Sequence, residues 1–356
     1  MNILLNTAPT SAEDRSRLMQ DPGFGRVFTD HMATIRWTVA EGWHDAKIEA
    51  RKPFQIDPAA SVLHYAQEIF EGMKAYKAGN SVTLFRPTEN ARRFNESAER
   101  LAMPTLPEAL FIGAIEALVR TDRDWIPEGE GSLYLRPFMI STEAFLGVRP
   151  SNEYLFCVIA SPAGAYFKGG AKPVKVWVSD EYTRAAPGGT GAAKCGGNYA
   201  ASLVAQAQAV KNGCDQVVFL DAAEHRWVEE LGGMNVFFVF DDGTMRTPPL
   251  GTILPGITRA SIITLARDAG IAIEEAPYSF EDWKDDAASG RLKEVFACGT
   301  AAVVAAIGEI RFTGGVRVIA DGQDGPLTQR LRSQLTGLQR GTVADHHGWR
   351  HFIDMG

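Results

Sequence analysis

Lys194 lies in the stretch Gly188-Gly189-Thr190-Gly191-Ala192-Ala193-Lys194-Cys195-Gly196-Gly197-Asn198-Tyr199, a long cation set among glycines. A desolvated lysine amine loses basicity and can then attack a carbonyl to form a Schiff base. Glycine lets the backbone come close to a ligand. Together they suit a site that presses a lysine against a flat carbonyl cofactor. A solvated loop lysine is the plain alternative.

Other segments offer the groups such chemistry needs. Glu229 and Glu230 precede Gly232-Gly233 and the apolar run Met234–Phe240. Adjacent residues of a strand point to opposite faces, so at most one of the two acids can face a site. Leu254-Pro255-Gly256-Ile257-Thr258 leads into a helix whose first N–H groups suit an anion. Cys298-Gly299-Thr300-Ala301-Ala302 is a second small-residue turn that can hold a phosphate or carboxylate. Arg93, beside Arg92 on a helix, reads more simply as a surface arginine than as an anion ligand. A lysine, an acid and a phosphate cup are what pyridoxal phosphate requires, the acid keeping the ring nitrogen protonated as an electron sink.

These residues need elements to position them. Strands are expected over 29–39, 81–86, 132–140, 153–160, 175–178, 216–220 and 234–240, from their β-branched and aromatic content. Leu63–Phe70 is amphipathic, and the chain then turns extended. Helices are expected from Thr88 as N-cap, over 107–121, over 198–211 to Asn212-Gly213, and over 257–269 to Gly270. Asp241-Asp242-Gly243 reads as a hairpin turn. The Pro/Gly-rich stretch Ser161–Ala171 divides a smaller domain, 1–160, from a larger one, 172–356.

The bulk numbers describe a chain that can build a sizeable core and is not disordered. The chain has 356 residues, 45% hydrophobic and 22% charged, with a net charge of −7. No long Lys/Arg run supports nucleic-acid binding. No apolar run is long enough to span a bilayer, and no signal peptide is visible. Cys157, Cys195, Cys214 and Cys298 form no CxxC pair, which fits a reducing cytoplasm better than a zinc site or a disulfide framework. His347 and His351 have metal-ligand spacing, but a surface tail is the simpler reading, and no metal is expected.

The ordered blocks Phe24–Met32, Leu63-His64-Tyr65, Phe70-Glu71-Gly72-Met73-Lys74-Ala75-Tyr76, Leu84-Phe85-Arg86-Pro87, Tyr134-Leu135-Arg136-Pro137, Lys194–Tyr199, Glu230–Asn235 and Leu254-Pro255-Gly256 resemble the branched-chain amino-acid aminotransferases of fold type IV. The resemblance implies a two-domain α+β fold, an active site at the domain interface, and pyridoxal 5'-phosphate as cofactor. It implies that L-leucine, L-isoleucine or L-valine passes its amino group to 2-oxoglutarate in a reversible ping-pong reaction. Lys194 would hold the cofactor and shuttle the proton, Glu230 would face the pyridine nitrogen, and Tyr199 would donate to the phenolic oxygen. Arg93, the amides of Ile257 and Thr258, and Thr300 would hold the phosphate. The amides of Thr300 and Ala301, with Tyr134, would take the substrate carboxylate, near Arg136. Phe24, Tyr199 and Gly233 would line an apolar pocket, completed by Tyr65, Leu146 and Val148 of a second copy in a homodimer. Ala302 and Ala305 stand where some members carry a redox CxxC. Other activities of the fold type, a D-amino-acid aminotransferase or an aminodeoxychorismate-lyase-like enzyme, and a silent binding protein are the alternatives.

Overall fold

Residues 1–79, 81–164 and 172–355 are described by the computed structural model. The chain forms two compact units. One comprises Met1–Tyr166, Ala193–Gly196 and Leu338–Gly356; the other comprises Phe167–Ala192 and Gly197–Gly337. Residues 165–171 of the expected linker lie outside the described residues.

The first unit contains strands β1 (Asn2–Ile3), β2 (His31–Thr38), β3 (Gly42–Ala50), β4 (Glu68–Phe70), β5 (Met73–Ala78), β6 (Ser81–Phe85), β7 (Ser132–Ser141) and β8 (Glu153–Ala163). Among the described residues the sheet order is β1-β3-β2-β8-β7-β5-β6, followed by the C-terminal strand Arg350–Ile353, with β4 beside β7. Period-two alternation on β7 sends Leu133, Leu135, Pro137 and Met139 into the core. It leaves Tyr134 and Arg136 half-buried on the other face. Pro137 sits inside this strand, yet its missing N–H costs no ladder bond. Its position falls where the neighbouring strand changes from β4 to β5, and its carbonyl accepts from the Glu71 N–H at 2.7 Å.

The helices of this unit are α1 (Ala12–Gln20), α2 (Ser61–Tyr65), α3 (Pro87–Arg100) and α4 (Glu108–Thr121). α2 is only five residues long and stops at Ala66, which has a left-handed φ of 48°; extended structure resumes at Glu68. Arg86, not Thr88, caps α3. Pro87 takes the first helical position, where its fixed φ and missing N–H do no harm. The core of the unit is centred on Phe94, Phe111 and Phe156, with ring centroids 5.3 to 5.8 Å apart. Ala193 and Cys195 are buried in the same core.

The second unit contains β9 (Val174–Ser179), β10 (Gln216–Leu220), β11 (Val228–Leu231), β12 (Asn235–Phe240), β13 (Met245–Thr247), β14 (Ile273–Glu275), β15 (Leu292–Gly299), β16 (Val303–Phe312) and β17 (Gly315–Val318). Among the described residues the sheet order is β11-β10-β9-β16-β15-β12-β13-β14, with β17 on β16. β9 and β10 run parallel, so the chain must cross over between them, and α5 (Gly196–Lys211) lies in that crossover. Gly213 (φ 68°) ends α5, and Gly270 (φ 73°) follows α6 (Ile257–Asp268). α7 (Phe280–Ser289) and α8 (Pro326–Arg340) complete the helices. Phe238 packs against Tyr278 and Trp283 at 4.5 and 5.0 Å in the main core of this unit. The fold is α+β.

All four cysteines are free and buried. Burial pushes the thiols of Cys157, Cys214 and Cys298 above their ordinary pKa. Among the described residues no helix is long and apolar enough to cross a membrane. His351 pairs with Glu116 at 2.7 Å, while His347 stacks on Trp349 at 4.4 Å.

Candidate functional site

Lys194 is half-buried between two core residues, Ala193 and Cys195. Its backbone is fixed from both sides. The Lys194 N–H donates to Ser97 Oγ at 2.9 Å, and the Ser97 hydroxyl donates to the Arg93 carbonyl at 2.9 Å. The Lys194 carbonyl accepts from the Phe70 N–H at 2.9 Å. The Gly196 N–H donates to the Glu68 carboxylate. The lysine Nζ lies 4.8 Å from the centroid of the Phe70 ring. The Arg136 guanidinium lies 4.8 Å from that same ring.

Arg136 Nη2 donates to the Tyr134 hydroxyl at 3.0 Å, while its Nε is buried without a hydrogen-bond partner among the described residues. Phe24 meets the Tyr134 ring edge-on at 4.9 Å. Gly72 makes room for this arrangement: a Cβ there would meet Tyr134 Cζ at 3.1 Å and overlap its hydroxyl.

Arg93 is buried on α3, whereas Arg92 is exposed. Its Nε and Nη2 donate to Glu71 Oε1 and Oε2 at 2.8 and 2.9 Å. Glu71 is fully buried and also accepts from Asn90 Nδ2 at 2.7 Å and from the Gly72 N–H at 3.1 Å. Burial alone pushes the Glu71 carboxyl up. Arg93, with help from Lys194 and Asn90, reverses this and holds it below the usual carboxylate range. Tyr65, Leu146 and Val148 are exposed, Val148 at 83%, and the Tyr65 hydroxyl donates to the Leu146 carbonyl at 2.6 Å.

In the second unit both adjacent acids are buried. Glu229 accepts from the Thr252 hydroxyl, and burial pushes its carboxyl up. Glu230 pairs with Arg184 Nη1 at 2.7 Å and accepts from the Leu254 N–H at 3.0 Å and Asn235 Nδ2 at 3.1 Å. Arg184 Nε is buried without a hydrogen-bond partner among the described residues. Asn235 Nδ2 also donates to the Leu254 carbonyl at 3.0 Å, which ties the acid to the loop ahead of α6. That approach requires Gly256, where a Cβ would meet Asn235 Cγ at 3.2 Å and overlap its Oδ1.

α6 begins at Ile257 with no side-chain cap among the described residues, so its first amides suit an anion. Ile257 is half-buried and Thr258 buried. Tyr199, in the first turn of α5, packs on Gly233, whose Cβ would lie 3.6 Å from the ring. Thr300 and Ala301 form the half-buried turn between β15 and β16. Val303 follows at φ 61°, a strained backbone for a β-branched residue.

The structure thus brings Lys194, Arg93, Tyr134, Arg136 and Phe24 together in the first unit, with Tyr65, Leu146 and Val148 on an exposed apolar surface. In the second unit it joins Glu230 to the α6 loop and Tyr199 to Gly233. Sequence reasoning missed Glu68, Glu71, Ser97, Arg184 and Asn235, which hold the expected residues in place. A lone acid in the apolar run Ile69–Gly72, and a serine four residues after Arg93, were the available signals. The donor set fits pyridoxal 5'-phosphate. The first unit provides an amine on a fixed backbone and, beside Tyr134, an Arg136 Nε with no hydrogen-bond partner among the described residues; the second provides a buried acid and the first amides of α6.

Comparison with known proteins agrees with this chemistry. The model of the family described as amino-transferase class IV matches residues 68–310. The branched-chain-amino-acid aminotransferase of Mycolicibacterium smegmatis is 58% identical over 354 residues, 98% of this chain and 96% of that protein. The crystal structure of the Escherichia coli branched-chain amino acid aminotransferase is similar with a TM-score of 0.75 and 29% identity, over 90% of this chain and 100% of that one. A T.th. branched-chain amino acid aminotransferase with pyridoxamine 5'-phosphate is similar with a TM-score of 0.73 and 28% identity, over 90% of this chain and 99% of that one. A family match over more than half of the chain and near-full-length identity converge on one conclusion: this chain belongs to the amino-transferase class IV family.

Proposed function

We propose that the chain is a pyridoxal 5'-phosphate-dependent branched-chain-amino-acid aminotransferase. It moves the amino group of L-leucine, L-isoleucine or L-valine to 2-oxoglutarate and yields the branched 2-oxo acid and L-glutamate. The observation that carries the chemistry is Lys194, an amine on a backbone fixed at its N–H and its carbonyl, one helical turn from the Arg93 carbonyl through Ser97. The branched-chain specificity is supported by the named relative at 58% identity.

The cofactor, when bound, would supply an electron sink for the pair released at the substrate Cα. Lys194 Nζ would hold the cofactor and carry the proton at the substrate Cα. The Glu230 carboxylate would face the ring nitrogen and favour its protonated form. Tyr199 would donate to the phenolic oxygen. Arg93, the Ile257 and Thr258 amides and Thr300 would bind the phosphate. The Thr300 and Ala301 amides, with Tyr134 and Arg136, orient the substrate carboxylate. Phe24, Tyr199 and Gly233 exclude water around the branched side chain.

The working form is a homodimer in which Tyr65, Leu146 and Val148 are lent to the second copy. Their exposure, with Tyr65 tethered to Leu146, supports this. Residues 1–160 and 172–356 act as the two domains, joined by 161–171, with Ala193–Gly196 and the C-terminal stretch Leu338–Gly356 grouped with the first, which makes it the larger of the two. Four unpaired cysteines support a cytoplasmic location.

The visible spectrum of the purified protein tests the reading. A yellow band that bleaches with L-leucine and returns with 2-oxoglutarate is expected. Bleaching by D-leucine alone, or a protein that stays colourless after incubation with pyridoxal 5'-phosphate, would overturn it.

A further inference from the structure

We propose that Glu68 is a positioning residue for Lys194: its carboxylate holds the Gly196 amide and so sets the backbone from which the lysine projects. The inference rests on Lys194 being the reactive amine. It is read from the contacts around the segment Ala193–Gly196.

The two ends of this segment are held differently. On the N-terminal side, Ala193 is packed in the core and the Lys194 N–H is bonded to Ser97. On the C-terminal side Cys195 is buried in the same core, and Gly196-Gly197, the most permissive pair of residues the chain could have there, follow it into α5. Two glycines at this junction let the backbone after Cys195 shift unless something tethers them. Glu68 supplies the tether, since its carboxylate accepts from the Gly196 N–H. Its place on β4 makes this possible: Glu68 and Phe70 lie on one face of the strand, with Ile69 buried on the other. The same short strand therefore holds the lysine segment twice, by the Phe70 N–H at the Lys194 carbonyl and by Glu68 one peptide further on.

Gly196 is the complement of this contact. A Cβ at that position would meet Glu68 Cδ at 3.1 Å and overlap Oε1. The φ of Gly196 is not in the left-handed region, so the need for glycine there comes from the carboxylate and not from the backbone. Burial pushes the Glu68 carboxyl up, opposed by the Gly196 amide and by Arg136, which both favour the ionised form. Arg136 also shares the Phe70 ring with Lys194. The acid is therefore half-buried against a backbone amide beside the lysine, where it has no direct part in the reaction proposed above.

Three variants test the proposal: Glu68→Ala removes the acceptor, Glu68→Gln keeps it, and Gly196→Ala displaces it from the other side. The readouts are steady-state kinetics and amide hydrogen exchange of the full chain with and without pyridoxal 5'-phosphate. Glu68→Ala should lower kcat about tenfold or more with little change in KM for L-leucine, because a misplacement of about 1 Å can cost 10²-fold. Glu68→Gln should stay within about threefold of wild type by the same geometric argument. Gly196→Ala should match Glu68→Ala, and the double variant should be no slower than either. Without cofactor, exchange in the peptide covering Lys194–Gly196 should speed up in Glu68→Ala while the rest of the first unit is unchanged.

A kcat for Glu68→Ala within about twofold of wild type would overturn the proposal, because a lost tether should cost more. So would a Glu68→Gln as slow as Glu68→Ala, or faster exchange spread across the whole unit. Failure of wild type to turn over L-leucine would instead overturn the functional assignment.

Discussion

Replacing Glu71 by glutamine should expose how the Arg93 charge is held. The two side chains share bonds of 2.8 and 2.9 Å and are buried together, so Glu71→Gln leaves a guanidinium without its counter-charge. Breaking a buried pair by removing one partner costs about 3–5 kcal/mol, and the retained amide oxygen argues for the lower end. A loss of about 3 kcal/mol lowers the unfolding midpoint of a unit this size by roughly 6–12 °C. If Arg93 binds the cofactor phosphate, inorganic phosphate should narrow the gap between variant and wild type in cofactor-free protein. At saturating phosphate the gap closes by RT ln of the ratio of the two Kd values, so closing ~2.7 kcal/mol requires phosphate to bind the variant about 100 times more tightly than wild type, where Glu71 competes for the guanidinium. The assay is thermal unfolding in chloride and in phosphate, with Arg93→Met/Glu71→Gln as the control for general salt effects.

The pH dependence has a definite sign. The Glu71 carboxyl lies below its unfolded value, so its contribution is present above about pH 4.3 and is lost as pH falls through the lower folded value. The variant should lack that acid-side slope. A gap that is the same in chloride and phosphate would refute the placement of phosphate at Arg93. An unchanged midpoint would refute the burial argument itself.

Lys194→Ala should reduce glutamate formation from L-leucine and 2-oxoglutarate by about 10²–10⁴-fold or more, measured as initial rate, since it removes the proton carrier. Glu230→Gln should both slow turnover and lower unfolding stability by ~2 kcal/mol, because Arg184 loses a charge-assisted bond; denaturant unfolding checks the second effect. Gly72→Ala forces Tyr134 to move and should raise KM for L-leucine roughly tenfold, or ~1.4 kcal/mol, with a smaller change in kcat. Leu146→Asp with Val148→Asp should separate the proposed dimer, read by sedimentation velocity.

What the sequence showed and what it hid follow from distance along the chain. Lys194 was legible because its glycines and Tyr199 are neighbours in sequence. The ends of α5 and α6 were legible for the same reason, since Gly213 and Gly270 act on the turn beside them. Thr88 was misjudged as a cap because Pro87 one residue earlier already starts the helix. The partners of the site residues were hidden because they pair across the fold. Glu71 meets Arg93 only when a strand edge packs on a helix, and Arg184 meets Glu230 from a separate loop. Arg93 itself read as an ordinary helical arginine until its burial was seen. Gly256 read as a simple helix start, whereas the space it leaves is taken by Asn235.

The buried cysteines fall two to each unit, Cys157 and Cys195 in one, Cys214 and Cys298 in the other. Each is therefore a built-in clock. A thiol reagent added to the native protein can modify a cysteine only when the unit around it opens, so the labelling rate of each residue reports the opening frequency of its own half. Inactivation by alkylating agents would then measure breathing of the fold and not attack on a reactive group. Cys195, one residue from the lysine, would time the excursions of the catalytic backbone itself.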